Sequence, residues 1–363
     1  MGNIIKDITV GYYKLPLEGN LVDALHGKHD NFELITATVL LDNGATGVGY
    51  TYTGGIGGAA CAKMLEVDLK PRLVGRELDD LSVMNAYMNQ AIHYVARGGI
   101  ASFAISALDI AFWDVKLKME NKAIADVFGT RQETVGTYYG GIDLMFSEKE
   151  LLANIEKQMA KGHTAVKIKL GKEDEMEDIA RVRAVRNFIG KDVKFAVDAN
   201  MIWSVEQAIR MAQRLEEFDL FWLEEPTNPD DYLGYAAIGQ ATTIPIAMGE
   251  NLHSKYEHKL ALDIARISES IPDCSNVCGI TGFFDVAKMT EERSMKVNSH
   301  GMQELHQNVI GAVKNAGLVE YHSFPIYEYT VEPTTIVNGR LTPSKVAGTG
   351  VDFDWEKIRK LEL

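Results

Sequence analysis

The sequence predicts an α/β protein, a (β/α)8-type barrel preceded by a smaller α+β capping domain, and three observations predict it. From Thr134 onward, short apolar strands alternate with amphipathic helices, the pattern of βα units around a parallel sheet. The predicted strand ends Gly140, Lys169, Asp198, Glu224, Glu250, Asp273, His300 and Glu320 recur at βα-unit spacing, with 29 residues from Lys169 to Asp198 and 20 from His300 to Glu320. Before this region, an Asn-Gly hairpin and three helical stretches form a unit of different pattern. A doubly wound open sheet is the alternative. It fails because no Gly-x-Gly-x-x-Gly follows the first strand and because polar residues close nearly every strand. The 363 residues exceed one ordinary domain. The expected division is a capping domain over 1–125, a barrel over 126–323, and a segment 324–363 that returns to the cap.

Composition narrows the function classes. A hydrophobic content of 46% supports an ample core, and a net charge of −14 with pI near 5.2 argues against a nucleic-acid surface. The N-terminus lacks a charged-then-apolar signal, and no apolar run reaches the roughly 18 residues of a membrane span. The expected setting is the cytoplasm, with no membrane partner. Cys61, Cys274 and Cys278 are too few and too scattered for a disulfide framework. Cys274 and Cys278 lack a second Cys or His pair at finger spacing, so structural zinc is set aside.

In order, residues 4–15 read as a strand, and Phe32–Leu41 and Thr46–Thr53 read as a hairpin around Asn43-Gly44, where glycine supplies a positive φ. Between them, Glu18 to Asp30 is a polar loop carrying Asp23, His26, Lys28 and His29. Gly54 to Gly58 reads as a flexible loop; as a phosphate cradle it lacks the Lys-Ser or Lys-Thr ending of a P-loop. Helical periodicity runs through about 59–70, 79–95 and 100–118, the last with so few polar breaks that it should lie buried between the two parts. The Pro-, Thr- and Val-rich residues after Phe324 hold no further βα unit.

The chemistry centres on Val166-Lys167-Ile168-Lys169, an apolar strand with two lysines on one face. Two ammonium groups side by side in a dry interior should push at least one pKa downward, which makes a base. Solvated surface lysines are the plain alternative. Three of the next strands end in acids, Asp198, Glu224 and Glu250. Each alone could be a helix N-cap, but three converging carboxylates repel unless they share protons or a cation. All-oxygen ligation with room for water and substrate selects Mg2+ over zinc. Opposite, Asp273 beside His300 would fix the imidazole tautomer and raise its basicity, although a lone core histidine is equally common. His163, His253 and His258 read as surface or cap residues. Asn200, His26 and Tyr52 are the candidate substrate contacts, with Tyr52 otherwise hairpin core.

Two bases around a metal suit removal of a proton α to a carboxylate, followed by racemisation or by loss of a β-leaving group. Lys or His bases with Mg2+ are the general description of enolase-superfamily sites. The Lys167-x-Lys169 motif, Asp198, Glu224, Glu250, the Asp273–His300 pair and Glu320 resemble the mandelate racemase branch of that superfamily over nearly the whole chain. The resemblance implies an enolase-like modified barrel, an α+β cap with mobile loops near 18–30 and 50–58, a catalytic place for Glu320, and a homo-oligomer such as a dimer or octamer. His29–Thr36, Gly49–Gly55, Gly301–His306 and His322–Ile326 further resemble the cycloisomerase family that opens 3,6-anhydro-L-galactonate to 2-keto-3-deoxy-L-galactonate. An acid-sugar dehydratase or a racemase would use the same residues. A silent barrel that only binds is disfavoured by the intact set.

Overall fold

A computed structural model describes residues 2–363. The chain opens with β1 (Ile5–Pro16), a short ribbon of β2 (Val22–Asp23) and β3 (Gly27–Lys28), and the hairpin of β4 (Asn31–Leu41) and β5 (Thr46–Thr53). Gly44 turns the hairpin at φ 87°, and the three long strands form an antiparallel sheet in the order β1-β4-β5. The polar loop predicted between the first two strands thus contains a ribbon of its own. The first predicted helix is broken into α-helical Gly58–Lys63, a π-helical stretch Met64–Leu69 and a last turn Lys70–Leu73. Only Gly54–Gly57 of the glycine-rich stretch lies outside regular structure, because β5 runs to Thr53 and the helix starts at Gly58.

The helix Ile100–Glu120 lies between the sheet and the barrel and is buried along most of its length. Its backbone rests directly on β5: a Cβ on Gly49 would come 2.1 Å from the Ala107 carbonyl oxygen and 2.3 Å from the Ala111 nitrogen. Its fully buried Asp109 accepts from the Asn85 side chain at 2.7 Å and from the Thr281 N–H at 2.9 Å. Thr281 belongs to the first turn of the barrel helix Gly279–Glu291, whose unpaired N–H groups and positive dipole end suit a carboxylate.

The barrel strands are β6 (Val135–Gly140), β7 (Ala165–Lys169), β8 (Lys194–Asp198), β9 (Trp222–Glu224), β10 (Ile246–Met248), β11 (Glu269–Ser270) and β12 (Leu318–His322). They pair in parallel in the order β11-β10-β9-β8-β7-β6-β12. The ring closes through one residue, Val297, which bridges Ser270 on one side and Ala316 on the other. Several predicted strand ends shift accordingly. Lys169, Asp198 and Glu224 are final strand residues, whereas Glu250 and Asp273 lie just beyond β10 and β11, His300 follows the Val297 bridge, and Glu320 is in mid-strand.

After the barrel, β13 (Arg340–Leu341) runs antiparallel against the start of β6. The chain then crosses back to the cap, where Phe353 meets Tyr50 edge-on at 5.1 Å and the Leu363 N–H donates to the Tyr12 carbonyl at 2.9 Å. The β2–β3 ribbon is pinned over the barrel mouth. The Leu144 N–H donates to Val22 O at 3.1 Å, and a Cβ on Gly171, which has φ 110°, would stand 2.5 Å from Ala24 Cβ. Among the described residues no helix is long and apolar enough to cross a membrane.

The contact of β5 with helix 100–120 sets a test. Because the obstructing atoms at Gly49 are backbone, Gly49→Ala should destabilise the fold by about 1–3 kcal/mol. Urea unfolding of the variant beside the parent measures this, and an unchanged midpoint would refute the tight packing.

Candidate active site

Alternation along β7 sends Val166 and Ile168 outward into the core shared with the surrounding helices, and sends Lys167 and Lys169 into the barrel. Both lysines are buried. Lys167 Nζ lies 2.6 Å from Glu224 Oε1, 2.9 Å from Glu320 Oε1 and 3.6 Å from Asp198 Oδ2; Lys169 Nζ lies 2.5 Å from Asp198 Oδ2. The expected lowering of a lysine pKa is therefore corrected. Burial does oppose the charge on Lys167, but Glu224 and Glu320 outweigh it and hold its pKa well above the ordinary value. On Lys169, burial and the neighbouring Lys167 are outweighed by Asp198 in the same way. The mutual repulsion is present, but carboxylates in direct contact with both ammonium groups dominate it.

Asp198, Glu224 and Glu250 each offer an oxygen within 4.8 Å of the others. Burial pushes the Glu224 carboxyl upward against the pull of Lys167. Glu250 Oε2 is buried without a hydrogen-bond partner. Hard carboxylate oxygens of this kind would hold Mg2+. The all-carboxylate donor set and the convergence of its oxygens fit such a cation. Neighbouring Asn200 has a left-handed φ of 43° and donates its N–H to Asp198 Oδ1 at 2.8 Å. Its side-chain oxygen is buried without a partner.

His300 Nδ1 sits 2.9 Å from Asp273 Oδ2, while Nε2 is 3.3 Å from Glu250 Oε2. Burial works against a charged ring, but Glu250 and Glu320, with Asp273, raise its pKa to about 10. His306 ties the two loops together from behind, with Nε2 accepting the Cys274 N–H at 3.1 Å and Nδ1–H donating to Gly301 O at 2.7 Å. Glu320 Oε2 accepts the Gly301 N–H at 2.9 Å.

The cap completes the mouth. Asp23 receives His29 Nε2 at 2.7 Å and His26 Nδ1 at 3.1 Å, and its bond to His26 is what raises the His26 pKa. Tyr52 places its hydroxyl 2.7 Å from Asp273 Oδ2, with its ring packed near Phe32 and Phe324. A cavity of about 180 Å³ is lined by Lys169, Asn200, His300, His26 and Tyr52 among others, but not by Lys167.

Not every histidine sits where the sequence reading put it. His163 and His258 are buried, not surface residues, and burial lowers their pKa values to about 4 and about 3. His253 lines the cavity. Sequence reasoning gave no role to Glu225, whose Oε2 accepts from Asn251 at 2.6 Å, or to His322, which also lines the cavity. The period-two spacing from Glu320 on β12 was the signal available for His322.

Comparison with known proteins agrees with this architecture. Residues 150–357 match the family Enolase C-terminal domain-like, and residues 21–129 match the Mandelate racemase / muconate lactonizing enzyme, N-terminal domain. The chain is 38% identical to 3,6-anhydro-alpha-L-galactonate cycloisomerase of Streptomyces coelicolor, over 99% of this chain and 100% of that protein. It is 31% identical to L-talarate/galactarate dehydratase of Salmonella typhimurium, over 100% of this chain and 92% of that one. A solved racemase from Streptomyces coelicolor A3(2) with bound magnesium superimposes with a TM-score of 0.96 at 38% identity, covering 99% of this chain and 100% of that one. The protein therefore belongs to the enolase superfamily, in its mandelate racemase and muconate lactonizing branch.

Proposed function

We propose that the protein is an Mg2+-dependent cycloisomerase that opens 3,6-anhydro-L-galactonate to 2-keto-3-deoxy-L-galactonate, working in the cytoplasm as a homo-oligomer. The observation that carries the reading is the placement of Lys169 and the Asp273–His300 pair on one cavity beside three carboxylates. Around the ring, β7 and the Val297 bridge are separated by β6 and β12 on one side and by β8 to β11 on the other. The two groups thus approach the cavity from different sides. The full-length likeness to the Streptomyces coelicolor cycloisomerase supports the choice of substrate. Three free, buried cysteines suit a reducing compartment, and the exposed apolar side chains of Tyr94 and Val95 suit a subunit contact.

Asp198, Glu224 and Glu250 would hold Mg2+, which supplies Lewis acidity to the substrate carboxylate as negative charge develops there. Lys167, fixed by Glu224 and Glu320, neutralises charge at the floor of the site. With Mg2+ on Asp198, Glu224 and Glu250 taking up the carboxylate charge that otherwise holds the protons on Lys169 and His300, the neutral form of one of these two groups takes the C2 proton, according to the stereocentre presented. The C3–O bond then breaks with its electron pair on the ring oxygen, the other group delivers a proton to that oxygen, and the enol becomes the 2-keto acid as C3 gains a proton. Asp273 holds His300 in one tautomer through the Nδ1 contact. Asn200, His26 and Tyr52 shape the selective end of the cavity. The second reading, dehydration of an open-chain sugar acid, is favoured by the likeness to L-talarate/galactarate dehydratase, and it differs only in releasing water.

Two outcomes are expected. Removing divalent metal with a chelator should abolish conversion of the anhydro acid, and Mg2+ should restore it; full activity in a demonstrably metal-free preparation would overturn the ligand assignment. Lys169→Ala and His300→Ala should each lose about 10²–10⁴-fold in kcat. Proton NMR in D2O reads both product and exchange at C2, and loss of the C2 base should stop the exchange as well. Near-normal turnover in both variants would move the chemistry elsewhere.

A further inference from the structure

β12 carries Glu320 and His322 two residues apart, so both side chains enter the barrel and His322 stands one pleat, about 6–7 Å, farther along the strand. Glu320 is occupied from both sides, by Lys167 Nζ at 2.9 Å and by the Gly301 N–H at 2.9 Å. His322 is different. Its ring lines the same cavity as Lys169 and His300, yet Nδ1 is buried without a hydrogen-bond partner. The ring is held in place by packing, 3.7 Å between centroids from Phe324 and 5.6 Å from His300.

Burial holds the His322 pKa well below the ordinary value; Glu320 opposes this, and His300, Lys169 and Lys167 reinforce it. A neutral imidazole offers one N–H donor and one lone pair. An unpaired buried polar atom is costly; Nδ1 is closed off from solvent and serves as the lone-pair nitrogen, which leaves the N–H on Nε2, the nitrogen of this cavity-lining ring that a substrate oxygen can meet. With the substrate carboxylate held by a cation at Asp198, Glu224 and Glu250, His322 on the same cavity faces the next carbons of the sugar acid.

We propose that His322 is a further catalytic residue, whose ring N–H hydrogen-bonds the oxygen that leaves C3 and orients it for departure. The assignment rests on the cycloisomerase reading above. The proton balance is unchanged: the C2 proton goes to Lys169 or His300, the C3–O electron pair goes to the oxygen, and the other of those two groups supplies its proton. His322 donates a hydrogen bond and neither gains nor loses a proton.

The test uses the Mg2+-loaded full-length enzyme with 3,6-anhydro-L-galactonate in D2O, comparing the parent with His322→Phe and His322→Asn. Without a donor, His322→Phe should form product about 100-fold more slowly while still exchanging deuterium into C2 of unreacted substrate. His322→Asn, which keeps an N–H donor, should recover at least about tenfold of that loss. A structural role would not leave C2 exchange intact, so retained exchange with lost product is the diagnostic result. If His322→Phe does not fold, His322→Asn carries the test, with exchange outrunning product as the supporting outcome. Product formation within about threefold of the parent in both variants, or exchange and product falling together in a folded variant, overturns the assignment. A parent enzyme that neither exchanges nor opens the anhydro acid overturns the functional reading instead, and this assignment falls with it.

Discussion

The rest of the barrel is arranged around a buried network of charge, in which Lys167 touches Glu224 and Glu320 and Lys169 touches Asp198. Charges taken out of water are tolerable only when paired at short range, because desolvation otherwise exceeds the gain. Four strands must therefore arrive in register for any one of these side chains to be stable. The parallel pairing sets Lys169 beside Asp198, and Asp198 beside Glu224. A one-residue slip of β7 would turn both lysines to the helix side, into the apolar cluster that holds Val182 and Phe195. The same network that threatens stability thus selects the fold.

The cap is attached by contacts of a different kind. Asp109 receives Asn85 from within the cap and Thr281 from the barrel, and Gly49 lets helix 100–120 lie close to β5. The ribbon of β2 and β3 is pinned through Val22 and Ala24. Its histidines gather on Asp23 beside the cavity. Close packing fixes the frame of the cap, while the Val22 backbone bonds and the Ala24 contact hold the part beside the cavity.

Much of this was legible in the sequence, for physical reasons. Alternation of apolar and polar residues reports which way a strand side chain points, so Lys167 and Lys169 could be placed on one face. Acids at the ends of apolar strands marked Asp198 and Glu224. What a single residue's context does not report is contact distance: the lysine pKa direction depended on Glu224 lying against Lys167 and Asp198 against Lys169, and was misjudged. The strand read as closing at His300 is reduced in the structure to the single bridge at Val297. His258 read as a surface residue because its helix is short and polar around it, yet its neighbours bury it completely.

One contact alters how the two parts of the chain should be regarded. The Tyr52 hydroxyl from the cap hairpin shares Asp273 Oδ2 with His300 Nδ1. A cap grafted from another member of the branch would have to bring a hydroxyl to the same spot, or leave that oxygen to the imidazole alone. Exchanging the cap of this chain therefore bears on the hydrogen bonding of His300 along with the shape of the entrance, because the two parts meet at one carboxylate oxygen.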